Sequence, residues 1–436
     1  MAISAPNTST ATSATAPGSG QSYGAPLATV TTLFFMWGFL TCLNDILVPH
    51  LKSIFDLSYF QVMLIQFAFF GAYFIFSIPS AKVIDWIGYQ RSMVVGLLTM
   101  GLGAFLFVPA ASVPSYPLFL GALIVLAAGI TCLQVAANPY VTVLGKPETA
   151  SSRLNLTQAF NSLGTFLAPF FGGLLILSAA PKTMTEIRAM APDVLQAHRL
   201  HEAASVKMPY VGLGIALVVL AVAIGSFRLP KIEHAQHKVG EKVNDSIWRH
   251  PNLIFGAIAI FVYVGAEVSI GSFLVNYFGQ PEIGGLTEKV AASFVAFYWG
   301  GAMVGRFIGS AILQKVSTRG LLGICAVCAA ALVGISMLSM GHFAMYSIIL
   351  VGFFNSIMFP SIFTLGVAEL GPLTGDGSGV MIMAIVGGAI LPVAQGAIAD
   401  RIGIHHAFFL PVICYLYILF FALSGSRPNS QRYAKS

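Results

Sequence analysis

The chain has 436 residues, 57% of them hydrophobic and only 9% charged, with a mean hydropathy of +0.83 and a formal net charge of +6. This composition excludes two or three water-soluble domains, which need far more polar surface. The lysines and arginines fall in segments between apolar runs, so the pI near 9.0 reflects membrane topology and carries no nucleic-acid signal.

Residues 1–27 are rich in Ser, Thr, Ala, Pro and Gly and carry no charge, the composition of a disordered tail. The first basic residue is Lys52, so no basic region precedes an apolar core as a secretory signal requires. A first half, 28–228, then contains apolar windows near 28–49, 62–82, 92–111, 117–144, 155–178 and 209–228. Residues 229–250 form the one long charged stretch, a linker. A second half, 251–425, has windows near 252–278, 291–313, 320–340, 343–368, 379–399 and 406–424, before a short tail, 426–436. Twelve spans of about 20 residues suit a chain of this length. With the N-terminus inside, fourteen Lys and Arg fall on the cytoplasmic side against seven outside, which predicts cytoplasmic N- and C-termini in an inner (plasma) membrane.

The two halves repeat one another. Asp45 and Glu267, the carboxylates set deepest in apolar runs, stand 222 positions apart. Pro139 and Pro360 stand 221 apart, each in the frame amide-x4-Pro-x4-Leu-Gly, from Gln134 to Gly145 and from Asn355 to Gly366. Pro169 and Pro392, 223 apart, are each followed four residues later by glycine. Six spans plus six, in parallel repeats around a central linker, predict an all-α membrane protein of twelve transmembrane helices with the major facilitator fold, its site between the halves.

Ionised carboxylates at a span centre cost about 2.5 to 3.5 kcal/mol on insertion scales, so Asp45 and Glu267 call for a use. Asp45, beside Asn44, can take a proton, bind hydroxyl groups or a cation, or pair with Arg306, the one basic residue inside a span. Glu267 lines the cavity or joins helices, with Asn276 further along the same span. Gln134 and Asn138 form an i, i+4 pair on span four, and Asn155, Gln158, Asn161 and Ser162 crowd span five. Buried amides must be paired. Each offers donor and acceptor, which suits a ligand made of hydroxyl groups, and their other use is to tie helices together. Phe359, Tyr298 and Trp299 are candidate platforms for a sugar ring.

Other motifs carry less. The five cysteines lie in spans and are odd in number, so no disulfide framework follows, and Cys325-x-x-Cys328 reads as small apolar residues. Gly375-Asp-Gly-Ser-Gly379 joins spans ten and eleven, where a turn needs glycine, and His405-His406 is expected in a solvated outer loop. The sequence has no HExxH, phosphate-loop or nucleophile-elbow motif, so neither an enzyme, a metal site nor a cofactor is predicted.

Asp85-x-x-Gly88-x-x-Arg91, after span two, resembles the cytoplasmic loop signature of the major facilitator superfamily, whose acid and base latch the inner gate. The segments 37–52, 133–165, 264–277 and 354–366, with AANP and RLN-x-x-QAFNS, resemble the fucose/galactose/glucose/proton symporter family of that superfamily, nearest its bacterial glucose/galactose branch. The resemblance covers roughly residues 28 to 425. It implies a monomeric hexose transporter in membrane lipid, with H⁺ as coupling cation and Na⁺ as the alternative. It implies that Asp45 couples the ion and that Asn161 and Phe359 contact sugar. The fucose branch has a glutamate where Gln134 stands and a neutral amide where Glu267 stands. The substrate-contact set is therefore Asn44, Asp45, Gln134, Asn138, Gln158, Asn161, Glu267, Asn276 and Phe359; the ion-coupling pair is Asp45 and Glu267; the gate is Asp85, Arg91 and Arg306. A drug/proton antiporter is the rival suggested by Gly164-x3-Ala168-Pro169-x2-Gly172-Gly173. A membrane sugar sensor is another, though it would need a signalling domain.

Overall fold

The structure, a computed structural model, describes residues 23–55, 59–112, 115–175, 190–195, 207–230 and 245–428, with backbone alone over 43–55, 59–63 and 170–175. The Asn44 and Asp45 side chains, the tail to residue 22, linker residues 231–244 and the end from 429 lie outside the described residues.

Helix α1 is Gly24–Phe55, starting within the stretch expected to be a tail. One run, Tyr59–Ser112, is broken at Gly88 into α2 (59–87) and α3 (89–112). Then follow α4 (Tyr116–Val143), α5 (Ala150–Leu175), α6 (Lys207–Ser226), α7 (Pro251–Gly279), α8 (Glu288–Ile312) and α9 (Thr318–Leu338). The last three are α10 (Gly341–Gly366), α11 (Gly371–Ile402) and α12 (Ile404–Gly425), each interrupted once or twice.

Ten of the described runs are long and apolar enough to cross a membrane, α2 and α3 counting as one. Helix α5 falls outside that set because its first turns carry Arg153, Asn155, Gln158 and Asn161. Its polar side therefore needs protein around it, and α1 and α8 supply that. The backbone between spans two and three is helical on both sides of Gly88, where a loop was expected; φ 80°, ψ 168° at that residue makes the bend.

Packing repeats every six helices. Helix α1 lies on α5 as α7 lies on α11; α4 lies on α2 and α3 as α10 lies on α8 and α9; α3 meets α6 as α9 meets α12. Between halves, α2 meets α11 as α5 meets α8, and α4 meets α11 as α5 meets α10. This is the parallel repeat expected from the 222-residue offset. Small residues set the closest approaches: a Cβ at Gly164 would fall on the Phe35 carbonyl, and one at Gly387 on that of Phe261.

Two local expectations are corrected. Gly375–Gly379 is helical, the first turns of α11, and its glycines admit α2: a Cβ on Gly379 would sit 3.0 Å from that of Ala81. His405 is buried, with Nδ1 3.1 Å from the Tyr277 hydroxyl and Nε2 2.7 Å from the Met337 carbonyl; only His406 is exposed. At the described end of the linker, a 2.7 Å contact with His250 and the Ser246 N–H hold the Asp245 carboxyl below its ordinary range.

Candidate functional site

Hydrogen bonds between the halves lie, among the described residues, toward one end of the bundle, the end that also holds Tyr23, Pro230 and Ser426. Lys82 Nζ meets Asp376 Oδ1 at 2.8 Å, and Lys82 also reaches Asp85 at 3.5 Å. Ser152 and Ser310 each donate to the other's main-chain carbonyl, at 2.7 and 3.0 Å. Asn155 Nδ2 donates to the Arg306 carbonyl at 2.7 Å, and Thr318 Oγ1 to Ser151 Oγ at 3.0 Å. This is a clamp of small hydroxyls and amides, with one ion pair at its rim.

The proline frames explain two further bonds. Pro139 has no N–H, so the Val135 carbonyl loses its intrahelical partner, and Ser378 Oγ of α11 donates to it at 2.8 Å. Pro360 frees the Ser356 carbonyl in the same way, and Arg306 Nε of α8 donates to it at 3.3 Å. Arg306 also donates from Nη1 to Ser162 Oγ of α5, so one guanidinium ties α8, α10 and α5 together.

Above the clamp lies a cavity of about 190 Å³ lined by Trp37, Gln134, Gln158, Asn161, Glu267, Arg306, Phe359 and Pro360. Five of these eight were expected substrate contacts, and Arg306 was expected at the gate. Trp37 was not anticipated; it lies two turns before Asp45 on α1, and aromatic residues are too common in this chain to single it out.

Each cavity amide is fixed from behind. Gln134 Nε2 donates to the Tyr73 hydroxyl at 2.7 Å, Asn161 Nδ2 to the Phe34 carbonyl at 2.9 Å, and Gln158 Nε2 to Asn138 Oδ1 at 3.3 Å. With their N–H groups partly spent on protein, the amides offer the cavity mainly acceptors, and Arg306 adds charged donors. Asn138 is thus one layer back, buried behind Gln158. Asn276 is exposed and does not line the cavity.

Glu267 sits where the cavity meets a buried polar cluster. The Tyr263 hydroxyl lies 2.8 Å from Glu267 Oε1 and 3.0 Å from the Asn355 carbonyl. Asn355 Nδ2 donates to the Tyr298 hydroxyl at 2.8 Å, and the Tyr415 hydroxyl donates to Asn355 Oδ1 at 2.8 Å. Tyr298, proposed from sequence as a sugar platform, is wholly buried in this cluster, whereas Trp299 is exposed. Nothing in the sequence marked Tyr263 or Tyr415; Asn355 was visible only as the counterpart of Gln134.

At the rim, Asp85 lies beside Lys82, which joins it to Asp376, and Arg91 is exposed. Asp376→Asn removes the ion pair across the halves. Because Lys82 is half exposed the pair is worth about 1 kcal/mol at most, so the clamp is expected to open up to about fivefold more often. Maleimide labelling of a cysteine at Thr374, with the five native cysteines replaced by alanine, measures this; an unchanged rate means the pair does not hold the clamp.

The chain can now be compared with known proteins. A glucose/galactose transporter of Brucella abortus is 54% identical over 409 residues, covering 94% of this chain and 96% of the relative. The L-fucose-proton symporter of Escherichia coli is 36% identical over 412 residues, covering 93% and 94%. Among solved structures, an E. coli fucose:proton symporter superposes with a TM-score of 0.87 at 35% identity, over 93% of this chain and all of the other. A structure described as a Major Facilitator Superfamily transporter in the outward conformation matches with the same score and identity. Two clamped six-helix halves, a cavity between them and a family model spanning residues 28–385 agree: the chain belongs to the Major Facilitator Superfamily.

Proposed function

We propose that this chain takes up hexose, glucose and galactose in particular, across the bacterial inner membrane by alternating access, coupled to a cation, H⁺ in the first instance. The observation that carries the reading is the cavity itself. Gln134, Gln158 and Asn161 face Glu267 and Arg306, with Trp37 and Phe359 as the aromatic faces. Anchored acceptors and charged donors read a set of hydroxyl groups, and aromatic rings stack on the apolar face of a sugar. The names of the relatives support the same substrate class. A drug/proton antiporter needs a more apolar pocket, and this one is largely amide and charge.

The positive-inside count makes the clamped end cytoplasmic. The described arrangement then corresponds to a state closed to the cytoplasm, in keeping with the likeness to an outward conformation. In this reading Asp45, on α1, and Glu267 are the coupling carboxylates, and the clamp with Arg306 is the inner gate.

The test is uptake of radiolabelled galactose into proteoliposomes, with pH and Na⁺ gradients imposed separately. Uptake driven by the pH gradient, competed by glucose more strongly than by fucose, is the expected result. Accumulation driven by Na⁺ alone would reassign the ion, and absence of hexose uptake under either gradient would remove the substrate assignment.

A further inference from the structure

Glu267 and the phenol behind it pose a counting problem. Tyr263 has one hydroxyl hydrogen, yet its oxygen is within hydrogen-bond distance of two groups that accept when Glu267 is ionised, the carboxylate at 2.8 Å and the Asn355 carbonyl at 3.0 Å. Tyr263 is buried, so an acceptor it fails to serve there is costly.

Among the described residues no other side-chain hydrogen bond reaches either acceptor. The Asn355 amide donates to Tyr298, whose own hydrogen points to the Glu267 main-chain carbonyl at 3.5 Å, and Tyr415 donates to Asn355 Oδ1. A neutral carboxylic acid resolves the count. Its O–H donates to the Tyr263 oxygen, and the Tyr263 hydrogen then serves the Asn355 carbonyl.

Arg306 supplies an independent observation. It is the charged group that faces Glu267 across the cavity, yet its described hydrogen bonds go to two neutral oxygens, Ser356 O and Ser162 Oγ. Among the described residues Glu267 and Arg306 form no ion pair, with no N···O distance within 4.0 Å. An ionised carboxylate sharing a small cavity with a guanidinium would draw it into a bidentate pair.

Among the described residues the remaining surroundings are neutral; the Asp45 side chain, on α1, lies outside them. Trp37, Gln134, Gln158 and Asn161 face Glu267 from α1, α4 and α5; Tyr298, Asn355 and Tyr415 stand behind it on α8, α10 and α12. On α11, Asp376, Asp400 and Arg401 stand at the helix ends.

We propose that Glu267 holds a proton in the clamped state, donating it to Tyr263, and that this proton leaves only once the clamp opens and cytoplasmic water reaches the carboxyl, whereupon the Tyr263 hydrogen bond passes from Asn355 to the carboxylate and Arg306, parted from Ser162, becomes available to it. No covalent bond forms or breaks besides the acid O–H. The Arg306–Ser162 bond crosses between α8 and α5, so it breaks as the halves part. The step thus places proton release after opening of the clamp, the order that uptake driven by an inward proton gradient requires. Its bearing on transport rests on the function proposed above; the protonation itself does not.

Tyr263 serves both forms of Glu267, accepting from the acid and donating to the carboxylate, so the presence of the acid and the state of its O–H decide the matter. Tyr263→Phe takes away the acceptor of that O–H and shifts the C=O stretch of the protonated acid.

Infrared spectroscopy of the full-length protein in lipid, titrated in pH, reads the C=O stretch of the protonated acid. A band present at pH 7, missing in Glu267→Gln and shifted in frequency in Tyr263→Phe, is the expected result. A wild-type spectrum at pH 7 without that band overturns the proposal, and this comparison alone decides it if Tyr263→Phe does not fold. A band at pH 7 whose frequency is unmoved in Tyr263→Phe overturns it as well. Hexose uptake by a protein that fails the infrared test leaves the substrate reading intact; a passed infrared test without hexose uptake does the reverse.

Discussion

Arg306→Ala is expected to reduce gradient-driven galactose accumulation by about a hundredfold or more. The guanidinium donates to Ser356 O and Ser162 Oγ, and hydrogen bonds from a charged donor are worth about 1.5 to 3 kcal/mol each. Since each 1.4 kcal/mol is a factor of about ten, loss of one such bond plus exposure of an unserved carbonyl reaches that magnitude. Two further consequences separate this account from simple misfolding. Arg306→Lys restores the charge but cannot donate in two fixed directions at once, so it recovers little accumulation. The alanine variant also loses a bond between α8 and α5, so a cysteine at Thr374 should label faster than in the parent. Accumulation within threefold of wild type in a well-expressed Arg306→Ala protein would remove the residue from the mechanism.

Asn161→Ala is expected to raise the half-saturating galactose concentration about 10- to 100-fold, with a smaller change in maximal rate. The Asn161 side chain reaches the cavity from α5 and is held by donating to the Phe34 carbonyl at 2.9 Å. Under the function proposed above, removing it takes away an acceptor for a sugar hydroxyl and leaves both partners unserved, which a site built to bind hydroxyls tolerates poorly. The same change unties α5 from α1 where Gly38 and Gly164 bring the two backbones closest. Initial-rate uptake in proteoliposomes over a range of sugar concentrations checks it. An unchanged half-saturating concentration would place the amide in helix packing alone.

The plan of the fold was legible because apolar length and the repeated proline frames depend on composition and spacing alone. What could not be read were choices that depend on how a helix is turned or where two helices touch. Gly375–Gly379 looks the same in sequence whether its glycines make a turn or admit a neighbouring helix, and the neighbour, α2, is nearly three hundred residues away. His405 and His406 are adjacent, so a difference of one residue in phase decides which meets Tyr277.

The site was legible to the same degree. Gln134, Gln158, Asn161, Glu267 and Phe359 converge, since polar groups in apolar helices have few places to go. Asn138 and Asn276 had equal claims in sequence, but one is turned behind Gln158 and the other is exposed. Lys82 and Asp376, which pair across the halves, drew no attention because one stands at the end of an apolar window and the other in a segment expected to be a turn.

The two prolines at 139 and 360 have a consequence for motion. A helix in hydrocarbon ordinarily cannot give up a backbone hydrogen bond, because nothing nearby replaces it. At Val135 and Ser356 the helix has already given it up, and the vacant carbonyl belongs to whichever side chain is closest: Ser378 and Arg306 in the state described. These are swivel points. A neighbouring helix can leave one of them and a water or another donor can arrive without the helix itself unwinding, so the halves can rock against a small barrier instead of the several kcal/mol that stripping a main-chain bond would cost.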